Sequence, residues 1–462
     1  MNFTKPLAAL LGAAALLTGC CQNGCADGNN AAADINEATV ASEKAVDYDT
    51  YFENDRMRID FSFAGDRENQ YVFLEGLARE IEWSGSRKNL IDFGFGGYRL
   101  EVISVKDSTL IFTKGFQCLF DEWLSTPEAT TTPKAFKCSH TIPYPKDSVQ
   151  IRILKRDKKT GFFHEKFSSV IDPADKSINR EQANQYRLVP IIENGDVKHK
   201  VDLLFIAEGY TEAEMDLFLS DARRFAGYLF EMEPYKSRQS DFNIWALCSP
   251  SAESGVDIPH ENVWKNTVVN SSFYTFYVDR YLTAPNQSDV AKVASNAPYD
   301  ALYVIANTDK YGGGGIYNFY GLSMRTNVRK KADGQIVNYE DEVFVHEFGH
   351  SFAGLADEYY ADETGFDEEV YCRDIEPWEP NLTTLVDFDS KWKDLLPEGT
   401  PVPTPVTDES KLLEIGVFEG GGYMAKGVYR PAYNCRMKIN DTPFFCPVCR
   451  RAIERMIDFY TE

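Results

Sequence analysis

From residue 46 to 175 the chain alternates hydrophobic with polar or small positions. In "RMRIDFSFAG", Met57, Ile59, Phe61 and Phe63 take every second place. A period of two puts them on one face of a pleated strand and their neighbours on the other. "YRLEVISVKDSTLIFTKGF" and "SVQIRILKRD" repeat the pattern, and "FKCSHTIPYP" lies between them with turn residues on both sides. No long stretch has a helical period. The pattern predicts an all-β sandwich over 46–175. Cys118 and Cys138 fall where a disulfide could staple two of its strands. The segment holds no catalytic constellation, so it reads as a packing or substrate-presenting module.

Residues 176–195 are polar and turn-rich and read as a linker, with a short extended piece at Leu188–Ile192. The texture then changes. "VDLLFIAEGY" is a continuous apolar run closed by Gly209, the pattern of a strand buried on both faces. "TEAEMDLFLSDARRFAGYLFEM" has helical period, with Thr211 and Glu214 spaced as a capping box. "DFNIWALCSP" and "DALYVIAN" are further buried strands. Strands alternating with helices predict an α/β domain over 196–462. The fold class is therefore multidomain, a β-sandwich followed by an α/β unit.

Within that unit, "FVHEFGHSFAGLADEYY" (344–360) carries His346 and His350 four residues apart, with Glu347 after the first. On a helix, positions i and i+4 share a face, so both imidazoles can reach one Zn2+. Glu347 lies beside that face. It can take a proton from a water on the metal and pass it to a leaving amine. The preceding "EVFV" supplies helix and an apolar face. A catalytic zinc takes three protein ligands, so one more is needed. On a straight helix Asp357 would lie roughly 16 Å from His346, so the chain must turn back, and Gly354 can do that without a Cβ penalty. This resembles the metzincin signature, in which a glycine breaks the helix and a ligand follows three residues later. Counted from His346, however, both Gly354 and Asp357 fall one residue late. Asp357 is the leading third ligand. Glu358 and the more distant Glu368 or Glu369 are the alternatives.

Other stretches bear on the same chemistry. The glycines of "YGGGGIYNFYG" (311–321) permit close backbone approach. An edge strand there could pair with an extended peptide, or the run could be a flexible hairpin. Met437 is the candidate for a methionine beneath the metal, with Met424 as its rival. Tyr429 and Tyr433 are candidate donors to a developing oxyanion. "CPVC" (446–449), with Cys435 and Cys372, reads as structural disulfides, with a second structural zinc or a redox pair as alternatives. His140, His164, His199 and His260 stand isolated.

The formal net charge of −23 over 462 residues argues against a nucleic-acid partner, which requires clustered Lys and Arg. The N-terminus adds an address. Lys5, the apolar run Leu7–Leu17 and Leu17-Thr18-Gly19-Cys20, which resembles a bacterial lipobox, predict a lipoprotein signal peptide over 1–19 with Cys20 as the lipidation site. An ordinary signal peptide that ends near a cysteine is the alternative. Residues 20–45 are small, polar and acidic, a flexible tether. These features predict an exported protein, an outer-membrane or cell-surface lipoprotein held to the membrane by its N-terminal lipid. Of ten cysteines, seven lie beyond the tether, so an oxidising compartment would leave at least one unpaired.

"HEFGHSFAGLADEYY", "YGGGGIYNFYG" and "YRPAYNCRMKINDTPFFCPVC" together resemble the bacterial IgA metallopeptidase family over about 196–462. An N-terminal β-domain like 46–175 accompanies that domain in many members. The resemblance implies a metzincin-like zincin fold and a zinc endopeptidase acting on a protein or peptide substrate. His346 and His350 would be ligands and Glu347 the catalytic acid/base. It does not imply cleavage of immunoglobulin. A different class stays open, a surface binding module for a glycan or host protein with a structural or degenerate metal site. An intact Glu347 favours the enzyme.

Overall fold

A computed structural model describes residues 46–181, 185–330, 334, 336–361 and 370–462. The signal segment, the tether and Cys20 lie outside the described residues. After a single helical turn, α1 (Tyr48–Tyr51), the chain runs through β1 (Phe52–Gly65), β2 (Gln70–Glu82), β3 (Tyr98–Ser104), β4 (Leu110–Phe116), a short α2 (Leu119–Leu124), β5 (Lys134–Pro145), β6 (Val149–Arg156) and β7 (Phe163–Ile171). These strands form two antiparallel sheets, ordered β2-β1-β5 and β4-β3-β6-β7. Met57, Ile59, Phe61 and Phe63 of β1 are fully buried. They share one core with Leu100 and Val102 of β3 and Ile151 and Ile153 of β6. Each such side chain contributes roughly 1.5–3 kcal/mol.

The polar alternates of β1 are also covered. Arg56 and Arg58 flank Glu80, and Arg56 Nε donates to its carboxylate at 2.9 Å. Arg56 also donates to the carbonyl of Ala294 and stacks over the Tyr299 ring at 4.4 Å. The second face of this sheet is therefore docked on the α/β part, and Glu80 balances the charge of the two buried guanidinia, although Arg56 Nη1 is left without a hydrogen-bond partner. The expected Cys118–Cys138 staple is not formed. Both thiols are free and buried. They fill space among Phe63, Tyr98 and Phe116 as small apolar side chains. The Cys138 sulfur lies 3.3 Å from His140 Nε2.

The extended piece expected in the linker is β8 (Arg187–Ile192), an edge strand antiparallel to a later strand. It is followed by β9 (Val201–Glu208), α3 (Met215–Leu229), β10 (Phe242–Cys248), α4 (Gln287–Ala294), β11 (Ala301–Ala306), β12 (Gly313–Ile316) and β13 (Tyr320–Met324). They build one six-stranded sheet, ordered β12-β13-β11-β9-β10-β8. Its inner pairings are parallel and both edge pairings antiparallel. Two short hairpins, β14 (Val328–Lys330) with β15 (Ile336–Asn338) and β16 (Phe418–Gly421) with β17 (Met424–Arg430), flank α5 (Glu340–Ala353) in sequence. α6 (Pro447–Thr461) ends the chain.

The continuous apolar run of β9 has a physical cause. Val201, Leu203, Phe205 and Ala207 enter the core shared with α3, α5 and α6. Leu204 and Ile206 enter the core shared with α4. Helices on both faces leave its central residues no polar side. Its two buried acids, Asp202 and Glu208, lie near its ends and are hydrogen-bonded, Asp202 by Asn243 and Trp245, Glu208 by Thr267 and Ser271. At the start of α3 the Thr211 backbone N–H donates to Glu214 at 2.8 Å, which closes the capping box.

Candidate active site

Helix α5 presents two stripes. Phe344, Phe348 and Phe352 follow one another at four-residue steps into the core, with ring centroids 6.1 and 5.1 Å apart. Tyr303 meets Phe344 edge-on at 4.6 Å. His346 and His350, also four apart, lie on the neighbouring stripe. The acidic first turn, Glu340 to Glu342, suits the helix's positive end. Glu340 also accepts from Arg224 at 2.7 Å and from the Asn327 backbone N–H at 3.0 Å.

Edge strand β12 lies directly on this helix. An alanine Cβ at Gly313 would stand 2.8 Å from Val343 and 3.1 Å from Glu347 Cγ, and one at Gly315 would stand 2.5 Å from the Glu347 carbonyl oxygen. Only glycine allows that approach. The outer side of the strand is partly occupied, because Tyr281 bridges to Gly313. The phenol of Tyr281 donates to Glu122, which comes from α2 of the β-sandwich. The sandwich therefore reaches the edge of the site.

Gly354 ends α5 in the left-handed region (φ 64°), and its N–H donates to the His350 carbonyl at 3.1 Å. The chain folds back and delivers Asp357. His346 Nε2 lies 3.0 Å from Asp357 Oδ1, His350 Nε2 lies 3.2 Å from the same oxygen, and the two Nε2 atoms are 3.0 Å apart. The fold-back is held by Asn381. Its amide accepts from the Ala356 N–H at 2.8 Å and donates to the Ala356 carbonyl at 2.9 Å. Tyr423 donates to the other oxygen of Asp357.

The donor chemistry fits a cation. His346 Nδ1 points at the Arg436 carbonyl at 3.1 Å and His350 Nδ1 at the Leu355 carbonyl at 2.5 Å. A carbonyl only accepts, so both Nδ1 atoms carry the proton and both Nε2 atoms present lone pairs. Two lone pairs and a carboxylate oxygen thus converge on one point. Nitrogen and oxygen ligands of a tetrahedral metal at about 2.0–2.1 Å stand about 3.3 Å from each other, close to the separations found here. Without a metal, a proton serves. Burial opposes charge on His350, but the Asp357 carboxylate outweighs it and pushes the imidazole up to about 9. Burial likewise disfavours charge on Asp357, and the two imidazoles overcome it, holding the carboxyl well below its usual range.

Glu347 sits between α5 and β12. Burial pushes its carboxyl up, Asp357 adds to that, and the two histidines and Arg280 oppose it. Met437 packs under the helix, its sulfur 2.9 Å from where a Cβ on Gly349 would be. Met424 belongs to a separate small cluster with Ala356, Leu382 and Val428. Tyr429 pairs with Thr383 in an isolated bridge, and Tyr433 packs on Phe418 and Lys438, so neither is brought to the histidines. Tyr423 takes that place. Its sequence signal is the preceding run of glycines, in which Gly420 (φ 97°) and Gly422 (φ 55°) take left-handed conformations that turn the chain toward the site. Glu358 turns away, toward Cys435, Cys446 and Cys449. Glu368 and Glu369 lie outside the described residues. The disulfides expected of these cysteines and Cys372 are not formed. Cys435 Sγ and Cys449 Sγ stand 3.8 Å apart, too far for a bond of about 2.05 Å.

Two family models match the chain and assign its class, a peptidase. One, described as IgA Peptidase M64, covers residues 189–412 and 406–457. The other, the Peptidase M64 N-terminus, covers 47–168. The chain belongs to the IgA peptidase M64 family, a family of metallopeptidases whose N-terminal domain precedes the peptidase domain. No curated protein matches it.

Proposed function

We propose that the chain is a zinc-dependent endopeptidase with a zincin-like catalytic domain. His346, His350 and Asp357 would hold the ion, and Glu347 would act as general base and acid. The observation that carries this reading is the convergence of two imidazole lone pairs and one carboxylate oxygen within 3.2 Å of each other. Glu347 stands beside them on the same helix. When bound, Zn2+ would supply Lewis-acid chemistry, acidifying water and polarising the scissile carbonyl.

The remaining work falls to the chain. The Glu347 carboxylate takes a proton from the attacking water and returns it to the departing amine. Its upward shift brings it nearer the operating pH, where a group that must both accept and release a proton works best. Tyr423 keeps its proton, because burial and then Asp357 push the phenol well above its usual range, so it remains a donor beside the site. Arg280 lies in electrostatic reach of Glu347 and Asp357 and favours substrates that present negative charge there. We extend the reading to an exported protein, anchored through lipid on Cys20 and acting on protein or peptide substrates near a membrane surface.

Glu347→Gln tests the assignment. Cleavage of a mixed peptide library should fall about 10²–10⁴-fold, with bound metal unchanged by elemental analysis. Asp357→Ala should lose the metal. Wild-type protein that holds stoichiometric zinc and cleaves no member of the library would sink the proposal.

A further inference from the structure

A second set of metal-binding side chains is buried below the triad. Glu358, Cys435, Cys446 and Cys449 each offer a ligand atom, and these atoms lie within 4.8 Å of one another. None of the four residues is more than 1% exposed. Cys435 Sγ and Cys449 Sγ are 3.8 Å apart. Sulfurs at about 2.3 Å from a tetrahedral zinc stand about 3.8 Å apart. Cys449 Sγ also lies 3.1 Å from Glu358 Oε1. The other oxygen, Oε2, is buried and has no hydrogen-bond partner. An acceptor left that way is costly unless something positive meets it.

The local backbone suits thiolate ligands. Cys446 caps α6, where the helix N-terminus favours negative charge. Its N–H points at Cys435 Sγ (3.3 Å), and the Cys449 N–H donates to Cys446 Sγ (3.5 Å). Cys-x-x-Cys at a helix start with a third cysteine nearby matches the ligand spacing of structural zinc sites. A thioredoxin-like redox pair would not bring a third thiol and a carboxylate to the same point.

We propose that Cys435, Cys446, Cys449 and Glu358 bind a second, structural zinc ion. Three thiolates and a carboxylate carry the same charge as a four-cysteine set, and Arg430 and Lys438 lie in electrostatic reach of Glu358. The ion ties the segment 435–449 to the extended stretch after Asp357. That segment carries the Arg436 carbonyl that orients His346 and the Met437 carbonyl that accepts the Glu358 N–H at 2.8 Å. The second ion therefore holds the floor of the triad, and it is independent of whether the triad is catalytic.

Full-length mature protein, purified without chelator, should contain two zinc equivalents by elemental analysis. His346→Ala should keep one, and Cys449→Ser should keep the other. After exchange into Co2+, wild type and His346→Ala should show a sulfur-to-cobalt charge-transfer band that Cys449→Ser lacks. A single equivalent that survives Cys449→Ser overturns the proposal, as does a disulfide among the three cysteines in non-reducing peptide mapping. Should Cys449→Ser not fold, the cobalt spectrum of wild type decides: no sulfur band refutes the site. Metal content and the cobalt spectrum, not peptidase activity, decide the matter, because loss of either ion would lower activity.

Discussion

Gly315 is the position at which a single methyl group should separate folding from catalysis. It lies in β12, the edge strand seated on α5. A Cβ there would stand 2.5 Å from the Glu347 carbonyl oxygen and 2.8 Å from His350 Cβ. These atoms are helix backbone or attached directly to it, so no flexible tip can swing aside. Ordinary contact begins at 3.4 Å, so strand and helix must part by 3.4 minus 2.5, or about 0.9 Å. The residues that move are Glu347, the proposed proton carrier, and His350 of the triad. A misplacement of about 1 Å at a reacting centre costs on the order of 10²-fold, which is about 2.7 kcal/mol of barrier. Overpacking adds roughly 1–3 kcal/mol of global destabilisation, which a chain with a core this large should survive. Gly315→Ala should therefore melt a little lower, stay folded, and lose about 10²-fold in kcat/KM on a fluorogenic peptide. Gly76→Ala in β2, where nothing lies within 4 Å of the new methyl, is the control and should behave as wild type. A Gly315→Ala enzyme within about twofold of wild-type kcat/KM would refute the argument that the glycine run exists to seat the strand on the helix.

Asn381→Ala should strand the buried Ala356 N–H and C=O at about 1–3 kcal/mol each. A lower melting temperature and easier loss of metal to chelators would show it. In chelated protein His350 titrates at about 9 in the fold and about 6.5 unfolded. Its folded value is raised, so the stabilisation from its pairing with Asp357 is fully present below about 6.5 and is lost as pH rises through about 9. Melts of metal-free protein should decline across that window and His350→Gln should flatten the decline; a wild-type profile already flat there would contradict the pairing. Arg280 holds the Glu347 carboxyl down, so Arg280→Gln should move the acid limb of the kcat/KM profile to higher pH. A limb that moves to lower pH would contradict that placement.

Much of this protein was legible along the chain because the relevant interactions are local. The two-residue period of Met57 to Phe63 places them on the inner face of β1, whatever covers it. The four-residue step from His346 to His350 needs only a helix, and the left-handed turn at Gly354 needs only the absence of a Cβ. Thr211 and Glu214 close their capping box within one turn. Other features depended on partners far away in sequence. Asp357 and Glu358 are adjacent carboxylates with no local difference between them. Asn381, Tyr423 and the 435–449 segment send one to the histidines and the other to the cysteines, because neighbouring side chains on an extended stretch point to opposite sides. The thiols looked like disulfide partners from their number and expected compartment, yet their distances place three of them around a carboxylate and two more in an aromatic core. The closeness of Tyr281 and Glu122 to β12 depends on how the sandwich docks, which no local period records. The sequence by itself determined the elements and the chemistry they carry, since period, caps and turns act over a few residues. Only the tertiary structure decided which carboxylate meets which ligands and what covers the edge strand, since those choices depend on packing between segments tens to hundreds of residues apart.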